Sequence, residues 1–318
     1  MIDFTNCKID RAAHYGGSDQ KRGIIYNGHR YMLKMSDRID QSKRNSLNSS
    51  YSNSIFSEYV CCHILNASGY PAQNTLLGTL SMMSASGEEK IVPVVACENF
   101  VQAGYELIEF KDIANALLSE KPGKIPKIDE LYTIFCNKNA YFDNESGKIA
   151  LQNYWDIFIW DSFFGNFDRH AHNWGYLLDQ VSGTLKIAPI YDCGSCLYPQ
   201  LADDALDRII NSPAEIQMRI DKFPNAALET RANTKANYKE FIQSFCNTDC
   251  TEALCRVFPH IDFGIVDGII DSVPELSEIR KTFYKTMLHA RYEKILVPAY
   301  ERAIRLKEQE RLEDMQLF

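Results

Sequence analysis

The chain has 318 residues, 45% of them apolar and 24% charged, an ordinary globular composition long enough for one large domain or two lobes sharing a cleft. The net charge is −8 and no long basic run occurs, so direct nucleic-acid binding is not expected. No apolar run approaches a membrane span, and the N-terminus lacks the basic-then-apolar order of a secretory signal; a cytoplasmic protein is expected, and export by a route needing no such signal would leave no mark.

Residues 1–36 read as strands. Ile24-Ile25-Tyr26, Asn27-Gly28 and Tyr31–Met35 form a hairpin with a strong Asn-Gly turn signal. Just upstream, Gly16, Gly17, Ser18, Asp19, Gln20 and Lys21 make either a simple turn or a glycine loop whose backbone N–H groups approach phosphates. Lys34 interrupts an apolar strand. It reads either as an edge lysine facing solvent or as the strand lysine that contacts nucleotide phosphates in kinases. Asp37–Asn53 is a polar loop. A helix follows over Ser54–Ser68, stopped by Gly69, and carries Glu58, either a surface acid or a partner for Lys34.

Thr75–Met83 and Lys90–Ala96 are two more strands, the second Val/Ile-rich and so buried. It runs into Glu98 and Phe100, where a kinase hinge would present backbone groups to adenine; the alternative is that Phe100 is simply a core residue. A boundary near residue 102 separates a β-rich lobe, 1–102, from an α-rich lobe, 103–318, giving an α+β architecture. From Glu106 the pattern turns helical and stays so apart from 165–194, with a Pro/Gly/Lys loop at Lys121–Lys127 and an aromatic central helix over Tyr154–Phe164. Helices are expected near Asp203–Ile210, Pro213–Asp221, Asn237–Phe245, Thr251–Phe258, Phe263–Ser272 and Pro274–Lys307.

The segment 165–194 holds the chemistry. Asp168 and Asn173 lie five residues apart, before a hairpin with strands Trp174–Leu178 and Leu185–Ala188; Asp192-Cys193-Gly194 follows it. Such a hairpin brings its ends together. Each residue alone suits a turn. Together they match the catalytic Asp, the Asn five residues on and the Asp-x-Gly of protein kinases, where Mg²⁺ needs hard oxygen ligands and a carboxylate receives the acceptor's proton. Ten cysteines are scattered along the chain. Cys193-x-x-Cys196 and Cys61-Cys62 lack the second ligand pair a zinc site needs, and reduced thiols are expected.

With GNFDRHAHN followed by APIYDCG, the chain resembles the HipA-family serine/threonine kinases over nearly its whole length. The resemblance implies a two-lobed kinase-like fold and ATP- and Mg²⁺-dependent transfer to Ser/Thr hydroxyls of a protein substrate, from host or bacterium, with autophosphorylation. It implies Asp168 as catalytic base and Asn173 and Asp192 as Mg²⁺ ligands. His170 would lie beside the phosphates, with Tyr191 next to Asp192 in the nucleotide site. Gly16–Lys21 would be the phosphate loop, Lys34 the upper-lobe phosphate contact, and Glu98 and Phe100 the adenine hinge. Two departures stand out. His14 occupies the position of the family's autophosphorylated serine, with Ser18 nearby, and the chain starts almost at the loop, where HipA toxins carry an extra subdomain. Pairing with a DNA-binding antitoxin in the usual way is therefore not implied by the resemblance. A lipid or small-molecule kinase, or a toxin–antitoxin component or regulator acting mainly through partner binding, would share these motifs.

Overall fold

A computed structural model describes residues 1–11, 21–35, 53–83 and 87–316. The expected glycine-loop residues Gly16, Gly17, Ser18, Asp19 and Gln20, with His14, and most of the polar loop after Met35 lie outside the described residues.

Asn27 and Gly28 both take positive φ, +47° and +83°, as a tight two-residue hairpin requires. They join Lys21–Tyr26 to His29–Met35, with Lys21 opposite Lys34. In chain order these strands are β3 and β4, after the short β1 (Ile2–Asp3) and β2 (Lys8–Ile9). With β5 (Thr75–Met83) and β6 (Glu89–Glu98) they build a six-stranded sheet in the order β1-β5-β6-β4-β3-β2.

The two-residue period of the strands divides the side chains between two cores. Leu33, Met35, Val94 and Ala96 join Phe4 and Ile24 on one face. Val95 and Cys97 face the other, against helix α1 (Ser54–Ala67). Lys34 pairs with Val95 in the ladder, so it shares the α1 face and is buried. The edge-strand alternative for Lys34 is thereby excluded.

The rest of the chain is mostly helical. Short helices α2 (Phe110–Leu117) and α3 (Ile128–Phe135) flank the Pro/Gly/Lys loop. The central helix α4 (Asn144–Phe164) is longer than expected, because Asp143 caps it by accepting the Glu145 and Ser146 N–H groups at 3.1 and 2.7 Å. Its aromatic end is buried: Trp155, Trp160, Phe163 and Phe164 form the heart of the main core. Helices α5 (Asp203–Ile210), α6 (Pro213–Asp221), α7 (Tyr238–Ser244), α8 (Thr248–Val257), α9 (Phe263–Asp271), α10 (Glu278–Arg291) and α11 (Val297–Gln316) complete it.

Three expectations are corrected. Tyr105–Glu109 is a strand, β7, not the start of a helix; it pairs with β8 (Gly175–Asp179), which in turn pairs with β9 (Leu185–Ile187). Pairing with a distant partner outweighs local helical spacing there. A small hairpin, β10 (Asn225–Glu229) and β11 (Lys235–Asn237), occupies the gap between α6 and α7. The long last helix is interrupted by a π-helical turn at Tyr292–Leu296. Pro298 has no N–H to donate to the Lys294 carbonyl, which Gln243 Nε2 satisfies instead at 2.8 Å.

Candidate active site

Lys34 is the first organising group. Its Nζ lies 2.8 Å from Glu58 Oε2 on α1 and 2.8 Å from Asp192 Oδ1. Glu58 Oε1 accepts the Cys193 N–H at 3.0 Å. One lysine and one glutamate thus tie the sheet, α1 and the Asp-Cys-Gly turn together. Burial alone would lower the Lys34 pKa and raise those of both acids. The opposing charges prevail at Lys34, held well above its ordinary value, and at Asp192, held down to about 2. Glu58, fully buried, stays raised, because burial outweighs the pull of Lys34. Asp192 sits at φ +58°, a left-handed conformation that aspartate tolerates better than most residues and that aims its carboxylate back into the cleft towards Lys34. The charge of Lys21, at the start of β3, also acts on Asp192.

The second group is the turn after α4. Gly165 ends the helix in the left-handed region, φ +69°, and sends the chain into Asn166–Asn173. The Asp168 carbonyl accepts the His170 N–H and Asn173 Nδ2, both at 2.8 Å. That bond commits the Asn173 amide nitrogen and leaves its Oδ1 as an oxygen donor. The Asp168 side chain is 43% exposed, with His170 Nε2 at 3.8 Å from Oδ2. Burial lowers the His170 pKa, so the ring is neutral at neutral pH.

Two residues that sequence reasoning missed hold this turn in place. Asp161, in the last turn of α4, is buried and accepts Arg169 Nε at 2.9 Å, Arg169 Nη2 at 3.1 Å and Asn166 Nδ2 at 2.9 Å. Arg169 Nη1 then donates to the carbonyls of Asn173, at 2.8 Å, and Tyr191. A single guanidinium therefore spans both ends of the β8–β9 hairpin, and the two ends meet as the spacing implies. The available signal was a carboxylate inside an aromatic helix, which needs a buried partner.

At the far end of the cleft the Phe100 and Tyr191 rings lie 5.6 Å apart. Glu98 is braced on all sides. Its carbonyl accepts Gln73 Nε2 at 2.9 Å, its N–H donates to the Asn74 carbonyl at 2.8 Å, and its carboxylate meets His29 Nδ1 and Asn74 Nδ2. The Phe100 N–H has no hydrogen-bond partner among the described residues.

HipA-like C-terminal domains match residues 13–253 of the chain. The serine/threonine-protein kinase CtkA of Helicobacter pylori (strain J99) is 41% identical over 308 residues, covering 96% of this chain and 89% of that protein. The chain belongs to the HipA-like family of serine/threonine kinases. The crystal structure of a Helicobacter pylori proinflammatory kinase CtkA superposes with a TM-score of 0.86 at 39% identity, over 96% of this chain and 98% of that one. Among more distant HipA-like structures, the Shewanella oneidensis MR-1 toxin–antitoxin complex of HipA, HipB and operator DNA superposes at 0.53 with 13% identity, over 91% of this chain and 67% of that one, a likeness of fold alone. The α+β, two-lobed HipA-like architecture expected from the motifs is the one observed.

Proposed function

We propose that this HipA-like kinase transfers the γ-phosphate of ATP, as its Mg²⁺ complex, to Ser/Thr hydroxyls of a protein, its own chain included. The observation that carries the reading is Lys34 held between Glu58 and Asp192, which joins a cation of the sheet, a helix acid and the Asp-x-Gly acid. Names given to relatives, serine/threonine-protein kinase and proinflammatory kinase, support it.

The donor set fits Mg²⁺. Asp192 is 40% exposed with only one carboxylate oxygen on Lys34, and Asn173 offers Oδ1. These two would hold the ion, which when bound neutralises charge on the β- and γ-phosphate oxygens. Lys34 and Lys21 would grip phosphates from the sheet, while the Phe100 N–H and the Phe100 and Tyr191 rings would take the adenine. His170, as neutral imidazole, would lie beside the phosphates. Asp168 would orient the acceptor hydroxyl and take its proton as the hydroxyl oxygen bonds to the γ-phosphorus and the bond to the β–γ bridging oxygen breaks, releasing ADP. With lobes 1–102 and 103–318, Lys21, Lys34 and Phe100 would contact the nucleotide from the first, and Tyr191, the metal ligands and Asp168 from the second. The partner is a protein acceptor of host or bacterial origin rather than nucleic acid. Among the described residues no helix is long and apolar enough to cross a membrane.

Incubation of the purified chain with labelled ATP and Mg²⁺ against protein and lipid acceptors tests this directly. Label is expected on protein, on serine or threonine. Label on lipid alone would overturn the protein-kinase assignment.

A further inference from the structure

The loop between α2 and α3 carries a device that the phosphate and metal contacts above do not use. Lys111 is buried, and its Nζ donates to the carbonyls of Pro122 and Gly123, the latter at 2.8 Å. A buried ammonium committed to two loop carbonyls is a costly way to hold a connection, so the loop's position matters. The same loop is bonded to the catalytic turn. The Ala171 N–H donates to the Lys124 carbonyl at 3.0 Å, and the Lys111 N–H donates to the Ala171 carbonyl at 2.9 Å. Ala171 stands three residues after Asp168, so the backbone at Lys124 is tied to the turn that carries the proposed base. Pro122 and Pro126 are buried and stiffen the loop, while Lys124 itself is exposed. Its charge reaches His170, where it adds to the lowering by burial and opposes Asp168.

We propose that Lys124 is a further catalytic residue, whose ammonium contacts the transferring phosphoryl group from the acceptor side of the cleft. Lys34 and Lys21 would approach from the sheet and the metal ligands from the two ends of the β8–β9 hairpin. Negative charge on the equatorial oxygens of the moving group needs a cation facing the acceptor as well, and a preorganised cation there acts mainly in the transition state. The assignment rests on the phosphoryl-transfer reading above.

Steady-state kinetics of the full chain with ATP, Mg²⁺ and a protein acceptor provide the test. Lys124→Ala is expected to lower kcat about 10²-fold, the scale of losing one electrostatic stabiliser, with KM for ATP and for the acceptor within threefold of wild type. Lys124→Arg should recover most of the loss. Lys121→Ala, which removes an exposed lysine of the same loop, should stay within twofold. Because Lys124 is exposed, thermal midpoints of its variants should match wild type. A Lys124→Ala kcat within threefold of an active wild type would overturn the assignment alone; so would a loss confined to acceptor KM, which would mark Lys124 as uniform substrate binding. A wild-type chain inactive towards every acceptor would instead overturn the kinase reading beneath it.

Discussion

Lys34 faces two carboxylates of unequal exposure, and the inequality assigns their tasks. Glu58 is sealed in and gives one oxygen to Lys34 and the other to the Cys193 N–H, so it has no oxygen left for a ligand. Asp192 is partly open and keeps one oxygen free of Lys34. Replacing Lys34 by Met would strand a buried carboxylate, and a loss of about 3–5 kcal/mol in urea unfolding is expected at neutral pH. Glu58→Gln in the same chain should restore part of it. The pH dependence follows from the shifts. Asp192 is held down to about 2, so its share of the stabilisation is complete above the ordinary aspartate range, about pH 4, and disappears as pH falls through about 2. Lys34 is raised, so its share is complete below the ordinary lysine value, about 10.4, and disappears only at higher pH. With Glu58→Gln in both chains, so that the raised Glu58 carboxyl does not titrate, the stability difference that Lys34→Met makes should therefore be flat from pH 5 to 9 and shrink towards pH 2. A difference that already halves between pH 7 and 5 would contradict the paired geometry.

At the scale of elements, what was legible depended on how local the cause is. The β3–β4 hairpin needs two positive φ values in a row, and Asn27-Gly28 states that need in two letters. Helix α1 shows its period and its stop. Strand β7 does not, because Tyr105–Glu109 is extended only through β8, far along the chain. Asp161 is hidden for a related reason: nothing local in the aromatic run of α4 marks its partner, Arg169, which lies eight residues on in a polar turn. Their pairing decides where the turn bearing Asp168 lies. Asp161→Leu should leave the Arg169 guanidinium buried without its carboxylate and cost about 3–5 kcal/mol, read by urea denaturation of the purified chain. A loss below 1 kcal/mol would show that the carbonyls of Asn173 and Tyr191 suffice to hold Arg169.

Across the whole molecule, the main core runs from the sheet and α1 into the helical part, and directed contacts near the Asp-Cys-Gly turn add to it. Ile190 exchanges backbone hydrogen bonds with Pro71 and Gln73 at 2.9 and 2.8 Å, Cys193 leans on Glu58, and Asp192 meets Lys34. The chain just after α1 is therefore tied to the residues flanking Asp192, where the motifs of both halves converge. That convergence was readable from motif spacing, whereas the braces behind it were not. The central claim is that Asp168 performs chemistry in this cleft without holding the nucleotide. The direct measurement pairs phosphate transfer with ATP–Mg²⁺ affinity in Asp168→Asn. Transfer should fall to background while affinity stays within threefold of wild type; full retention of transfer would contradict the account.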